Sequence, residues 1–188
     1  MKKSRLIVVI TLIAILAMAS VPSWAQEPAI SDVVVTKYNN TVYVYFTLKD
    51  CYSREVEQVI KSGIPTTFVF EVAIIKLRPL WFNEPIIRKT IKHTIKFDSL
   101  TEEYIVSKAE DGGKPTIIKD FEMAKNAMSR VVLFPVVSLD FLENGSTYRL
   151  EMRGKFEKVK VPDSVKYVLF FTNLWYFETD WYREEFTY

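Results

Sequence analysis

The sequence predicts a mainly β protein of the α+β class, a single antiparallel, β-sandwich-like domain with two helices packed on it. Three observations support this class. Apolar and polar residues alternate along several segments, as they do in strands with one face on a core and the other in water. Two further segments carry apolar residues at helical spacing. Of the 188 residues, 49% are hydrophobic, so the chain can bury a core and is not disordered.

The N-terminal segment has the pattern of a secretory signal. Three basic residues precede the apolar run Leu6 to Met18, and small residues follow at Ser23 and Ala25. We expect a signal peptide over residues 1–25, cleaved between Ala25 and Gln26, and export to the periplasm. The alternative is an uncleaved signal that holds the chain at the membrane, but the run is shorter than the roughly 20 residues of a spanning helix. We expect no transmembrane segment after cleavage.

The charge and the metal-binding residue types exclude two classes of function. The first 25 residues hold three of the 25 basic residues and none of the 23 acidic ones, so residues 26–188 carry a net charge of −1. A nucleic-acid-binding domain would be basic, and we expect no nucleic-acid partner. The chain has one Cys and one His, which excludes a Cys/His zinc site and an internal disulfide. We expect no metal and no cofactor.

Residues 26–188 read as one domain that begins with a hairpin. Ile30 to Lys37 and the alternating segment Val42 to Leu48 flank Asn39-Asn40, a pair typical of a tight hairpin turn.

Two helices interrupt the strands. The first is predicted over Ser53 to Ser62, ended by Gly63, and Pro65 prevents it from resuming. The second is predicted over Thr116 to Met128, where apolar residues recur at helical spacing after a polar, Gly-rich loop.

The remaining strands are predicted from period-two alternation. Pro135 lies in an apolar segment and indicates an edge strand or a bulge there. The alternating segments are Phe68 to Ile75, Thr90 to Phe97, and Tyr148 to Glu157.

The candidates for catalysis are few. The chain has no nucleophile elbow, phosphate loop, dinucleotide fingerprint or zinc-protease motif, and we expect no enzyme. His93 lies on the apolar side of its strand, which favours a buried structural residue with one hydrogen-bond partner over a general base. Cys51 is expected to be buried. Glu178 and Asp180 share one face of a predicted strand, opposite Trp181, so they form an acid/base pair or a solvated outer face.

Two apolar segments are candidates for an interaction surface. The loop Arg78 to Pro85 could enter a membrane interface, fill a partner's pocket, or fold back on the domain. The C-terminal region is so rich in aromatic residues that it forms either core or interface. The candidate surface residues are Arg78, Leu80, Trp81, Phe82, Trp175, Phe177, Trp181 and Tyr182.

A set of short motifs resembles a known bacterial family. Ser62-Gly63-Ile64-Pro65 precedes a strand that ends at Arg78-Pro79-Leu80-Trp81-Phe82, and Asp98 to Val106 and Thr179-Asp180-Trp181-Tyr182 follow. In order and spacing, from Ile30 to Phe186, these resemble the bacterial exported proteins grouped as "domain of unknown function 4390". Leu80 and Thr179 depart from the pattern. The resemblance implies an exported, single-domain, non-catalytic envelope protein, encoded near a membrane sensor kinase and an rRNA methyltransferase, and it transfers no catalytic residues.

Three hypotheses for function follow. The first is a non-catalytic envelope protein that binds an envelope or membrane protein, with the sensor domain of a membrane kinase as one candidate. The second is a carrier or sensor of a hydrophobic, lipid-like ligand inside the β-domain. The third and weakest is a hydrolase that uses His93 or the pair Glu178 and Asp180.

Overall fold

The computed structural model describes residues 27–157 and 177–188, which form two antiparallel sheets packed on a shared hydrophobic core. The strands of this part of the chain are β1 Ala29–Tyr38, β2 Thr41–Lys49, β3 Thr66–Lys76, β4 Glu84–Asp98, β5 Glu103–Lys108, β6 Pro115–Ile118, β7 Arg130–Ser138, β8 Thr147–Phe156 and β9 Tyr182–Thr187. Its helices are α1 Arg54–Lys61 and α2 Phe121–Ser129, with a short 3₁₀ helix at Leu139–Phe141.

The strand order explains the two-layer shape. The small sheet has the order β1-β2-β7, and the large sheet has the order β6-β5-β4-β3-β8-β9. The predicted mainly β, sandwich-like class with two helices is confirmed. The expected signal segment, its cleavage site at Ala25 and Gln26, and Trp175 lie outside the described residues. No helix among the described residues is long and apolar enough to cross a membrane.

The core forms where the inward positions of the two sheets meet. Along β2, the alternate residues Val42, Val44, Phe46 and Leu48 are all buried, as the period-two pattern predicts. On β8, Gly154 faces Leu48, and a Cβ atom at Gly154 would lie 3.1 Å from Leu48 Cδ1. A side chain there would therefore require Leu48 to shift by a few tenths of an ångström.

Two predicted turn features are confirmed. Asn39 and Asn40 join β1 to β2 with φ values of 43° and 60°, both in the left-handed region that a two-residue type I′ hairpin requires. Pro135 lies on β7, an edge strand of the small sheet, and the β2–β7 register shifts beside it. An edge position and a bulge both spare a strand the hydrogen bond that proline cannot donate.

Helix α1 matches its prediction. Ser53 caps its N-terminus and accepts a hydrogen bond from the Val56 N–H at 3.3 Å. Gly63 follows its C-terminus at φ 79°, the left-handed conformation that ends many helices.

The predicted helix Thr116 to Met128 begins too early. Residues Pro115–Ile118 form the edge strand β6, which pairs with β5, and α2 starts at Phe121. Asp120 caps α2 by accepting a hydrogen bond from the Met123 N–H at 2.7 Å. The β-branched residues before this cap favour a strand, so Ile117 belongs to β6 although its spacing fits the helix.

Strand β4 is longer than predicted at its N-terminal end. It begins at Glu84 rather than Thr90, and Pro85 pairs with Ile75 at a register shift. Proline is tolerated near the first residue of a strand and at a bulge. The predicted loop Arg78 to Pro85 therefore ends before β4, at residue 83.

Candidate interaction surface

Leu80, Trp81 and Phe82 form the end of the loop that joins β3 to β4, and we call these three residues the apolar tip. Their relative exposures are 105%, 72% and 85%. The Trp81 and Phe82 rings meet edge to face, with centroids 6.3 Å apart. None of the three joins the hydrophobic core of the described residues. Of the alternatives for this loop, folding back on the domain is therefore wrong.

The loop holds the apolar tip out through contacts of its own. The Arg78 N–H donates a hydrogen bond to Asn83 Oδ1, and the Trp81 N–H donates one to the Arg78 carbonyl, each at 3.3 Å. The Arg78 guanidinium pairs with Glu84 across the base of the loop. Leu80 adopts φ 64°, a conformation that costs a non-glycine residue roughly 1 kcal/mol. These hydrogen bonds and this ion pair lie within the loop and at its base, and they support its shape.

A groove of about 800 Å³ lies at the base of the loop, between it and the turn that leads into β8. Its walls come from the end of β3, the loop, the turn and the start of β8, so it combines segments far apart in sequence. Its charged and polar walls include Lys76, Arg78, Asn83, Glu143, Ser146 and Arg149.

The charges of this groove are largely matched within the protein. The Lys76 ammonium beside Glu143 holds the pKa of that carboxyl below its ordinary value. The groove therefore offers hydrogen-bonding groups without a strong net charge. The cation–carboxylate pairs are Lys76 with Glu143, Arg78 with Glu84, and Arg149 with Glu185.

The second predicted surface, the aromatic C-terminal region, has a different environment. Phe177 packs against Phe68 and Phe156, with ring centroids 5.5 and 6.0 Å away. Tyr182 is half-buried, and its hydroxyl donates to Glu184 Oε2 at 2.9 Å. Burial and this contact raise the pKa of Tyr182. Among the described residues of this region, Phe177 and Tyr182 are both half-buried and pack against the hydrophobic core.

Trp181 corrects a predicted strand face. It lies over the guanidinium groups of Arg153 and Arg88, whose central carbons are 4.4 and 5.6 Å from the ring centroid. Glu178 also contacts Arg153, so it shares a face with Trp181 rather than lying opposite to it. Glu178 pairs with Lys155 of β8, and Tyr182 pairs with Met152. The C-terminal segment therefore has one more residue between these two pairs than β8 has. This bulge reverses the alternation.

Comparison with protein-family models gives one match. The model described as "Domain of unknown function (DUF4390)" matches residues 25–185, most of the chain. The chain belongs to this family. Searches of curated proteins and of solved structures gave no match. The predicted family is thus confirmed, and the family description assigns no activity to any residue of the domain.

His93 of this DUF4390 chain is a buried structural residue, as expected, but it has two polar partners instead of one. Its Nδ1 lies 2.7 Å from the Met128 carbonyl, and its Nε2 lies 2.7 Å from Glu110 Oε1. A carbonyl only accepts, so Nδ1 carries a proton. Burial opposes the ionisation of Glu110, but the hydrogen bond and charge of His93 outweigh it and lower the pKa of that carboxyl.

Cys51 of the DUF4390 chain is buried, as predicted. Its Sγ lies 3.6 Å from the Leu48 carbonyl and 3.8 Å from Ser129 Oγ. Burial raises the pKa of the Cys51 thiol to about 12, so the nucleophilic thiolate is scarce at neutral pH. The Cys51 thiol contacts Leu48 and Ser129, whereas the His93 imidazole contacts Met128 and Glu110.

The carboxylates Glu178 and Asp180 both line a shallow groove of about 420 Å³, next to Trp181 and Tyr182. Glu178 is engaged by Arg153, which also holds Glu71 at 2.9 Å. The hydrolase reading stays a prediction.

Sequence reasoning found the apolar tip of the DUF4390 domain and missed the groove beside it. The tip consists of adjacent residues, whereas the groove joins residues from 76 to 149 through the pairing of β3 with β8. The dipeptide Asn144-Gly145 is typical of a tight turn, but the sequence does not indicate which strand end lies next to it. Only the register that places Lys76 opposite Tyr148 brings the two together.

Proposed function

We propose that this protein is an exported bacterial envelope protein that acts by binding another envelope or membrane protein. The observation that carries the proposal is the apolar tip, three adjacent apolar side chains that a rigid loop holds in solvent beside a polar groove. Monomeric proteins rarely expose such a cluster without a binding role. The signal-like segment over residues 1–25 supports export to the periplasm.

The groove is the part of this surface that suits a protein segment. Its hydrogen-bonding groups come from side chains such as Asn83 and Ser146, and its cations already have carboxylate partners. A polar, uncharged stretch of a partner could lie in it without leaving a buried charge unpaired. The sensor domain of a membrane kinase is the partner class that the family resemblance implies.

A crosslinking experiment in the native cells tests the proposal. A photocrosslinking amino acid replaces Ser146, which lines the groove. We expect one discrete crosslinked product with an envelope protein. The matched control carries the same amino acid at Ser99, in the turn between β4 and β5 at the other end of the sandwich.

Two results would contradict the proposal. One is the absence of any product from position 146, and the other is the same products from positions 146 and 99. The mass of the protein isolated from the cell envelope tests export at the same time. A chain that begins at Gln26 is expected, and an intact segment 1–25 would mean that the signal holds the protein at the membrane.

The carrier and hydrolase hypotheses receive no specific support. Large side chains such as Phe46, Phe70 and Tyr148 fill the space between the sheets and are almost wholly buried. Both hypotheses stay predictions, and protein binding remains the function that the exposed residues favour.

A further inference from the structure

Three loops meet at the end of the sandwich that carries the apolar tip. They are the β1–β2 turn, the β3–β4 loop, and the β7–β8 connection. The Leu139 N–H donates to the Asn40 carbonyl at 2.8 Å and joins the first loop to the third. Lys76 pairs with Glu143 and joins the second to the third. These contacts hold the three loops together as one end of the molecule.

Each of these three loops exposes a large apolar side chain. Tyr38 stands at the β1–β2 turn with 66% exposure, and Phe141 stands in the β7–β8 connection with 69%. With the apolar tip they form a set that we call the apolar crown. Its members are Tyr38, Leu80, Trp81, Phe82 and Phe141.

We infer that the apolar crown inserts into the interface of a lipid bilayer, so that the domain binds a membrane surface directly. This inference rests on the proposed location in the envelope and names a second partner for the same end of the molecule. The tip reaches the lipid, and the groove at its base is left for the membrane-bound protein partner. Trp and Tyr are the residues enriched at membrane interfaces, and Leu and Phe add apolar area.

The polar groups beneath the crown suit this placement. The Arg78 guanidinium pairs with Glu84, and the Arg78 N–H donates to Asn83 Oδ1. Each contact lowers the cost of taking its own polar groups out of bulk water, where an unsatisfied polar group would oppose insertion. The hydrogen bond from the Trp81 N–H to the Arg78 carbonyl likewise gives two backbone groups of the loop a partner within the protein.

The charges at this end distinguish lipid insertion from attraction to anionic headgroups. The cations Lys76, Arg78 and Arg149 each have a carboxylate partner, and Lys37 lies 4.7 Å over the ring of Tyr188. A polybasic surface that binds anionic lipid would have Lys or Arg side chains without carboxylate partners. Binding should therefore depend on the aromatic side chains and only weakly on salt.

The strand direction also sets the orientation of the domain. Strand β1 starts at Ala29 and ends beside Tyr38 in the crown, so its ten residues place roughly 33 Å between the chain's N-terminal side and the crown. With the crown in the bilayer interface, Ala29 therefore lies at the end of the domain opposite the inserted side chains.

Vesicle binding of the protein isolated from the envelope tests the inference. The probes are vesicles of phosphatidylcholine alone and vesicles with about 30% phosphatidylglycerol, an anionic lipid. We expect cosedimentation with both, and a change of less than about threefold in the partition coefficient between 0.05 and 0.5 M salt. Trp81→Ala with Phe82→Ala should lower the coefficient by about tenfold or more, because both rings lose interfacial burial.

The matched control is Leu100→Ala. Leu100 is 94% exposed, but it lies in the β4–β5 turn at the opposite end. It should leave vesicle binding unchanged. No binding by the wild-type protein, equal losses from the control and the double variant, or binding only to anionic vesicles at low salt would each overturn the inference.

The two proposals fail separately. The vesicles contain no protein, so their result does not depend on the partner crosslinked at position 146. Crosslinking without vesicle binding would leave the protein partner standing and overturn lipid insertion. A third outcome is that the wild-type protein does not bind vesicles and the Trp81→Ala, Phe82→Ala double variant loses the crosslink. That outcome would mean that the tip fills a pocket of the protein partner instead of entering lipid.

Discussion

The apolar tip and the C-terminal segment, here residues 177–188, both contain aromatic side chains, yet the tip projects into solvent and this segment packs on the sheet. Phe82 is 85% exposed, whereas Phe177 meets two core rings. The difference lies in the backbone. The C-terminal segment pairs with β8, which carries its side chains over existing surface, whereas the tip turns in a loop that satisfies its own polar groups. Aromatic content alone does not separate a core from a binding surface.

The sharpest test of this contrast compares two phenylalanines. Phe177→Ala should lower the free energy of unfolding by about 2 kcal/mol, because its half-buried ring loses its packing on Phe68 and Phe156. Phe82→Ala should change it by less than about 0.5 kcal/mol. Urea denaturation followed by circular dichroism measures both. Similar losses from the two variants would break the comparison.

The same contrast holds for two pairs of polar side chains. His93 and Glu110 have side-chain exposures of 0% and 6%, whereas Arg78 and Glu84 have exposures of 41% and 44%. Glu110→Gln should cost about 2 kcal/mol, because it removes the charge that partners a buried imidazole.

Glu110 should also control stability in acid. The pKa of its carboxyl is lowered from the ordinary value of 4.5, so its contribution is complete above pH 4.5 and is lost as the pH falls through the lowered value. Unfolding free energies measured between pH 7 and pH 3 should therefore fall less steeply in Glu110→Gln than in the wild type. Parallel curves would show that the pair does not stabilise the fold.

Trp181 allows a comparison with Trp81. Trp181→Ala should lower the free energy of unfolding by about 1 kcal/mol, since it loses its contacts with Arg153 and Arg88. Trp81→Ala should leave stability unchanged within about 0.5 kcal/mol. Thermal unfolding of the two variants beside the wild type measures the difference, and a larger loss from Trp81→Ala would contradict it.

The smallest effect is expected at the base of the tip. Glu84→Gln should change the free energy of unfolding by less than about 0.5 kcal/mol, because exposed ion pairs contribute little. The difference between the variant and the wild type should be smaller still at 0.5 M salt, because screening already weakens the Arg78–Glu84 pair in the wild type. A loss as large as that of Glu110→Gln would mean that the loop supports the core.

Local patterns in the sequence predicted much of this fold. The alternation in Val42 to Leu48 and the capping residues of α1 act over a few neighbouring residues, so they can be read directly. The edge strand Pro115–Ile118 was missed because its four residues continue the helical spacing of α2. The face of Trp181 was mispredicted because a bulge of one residue leaves no mark in composition.

One part of the candidate site, the apolar tip, depends on neighbouring residues and could be predicted from the sequence, whereas the other parts depend on the topology. Trp81 and Phe82 are adjacent and flanked by prolines, so the apolar tip could be proposed from sequence, although its exposure could not. Tyr38 and Phe141 join it only through the topology, because their loops meet at one end after the sheets have formed. The groove at Ser146 likewise depends on strand register.

Tryptophan quenching tests the central claim most directly. A chain with Trp24, Trp175 and Trp181 replaced by Phe retains only Trp81. Without vesicles, we predict strong quenching of its fluorescence by acrylamide in water, and with vesicles, quenching by brominated phosphatidylcholine and protection from acrylamide. Protection of Trp81 without vesicles would contradict the exposed tip, and unchanged acrylamide quenching with vesicles would contradict its insertion into lipid.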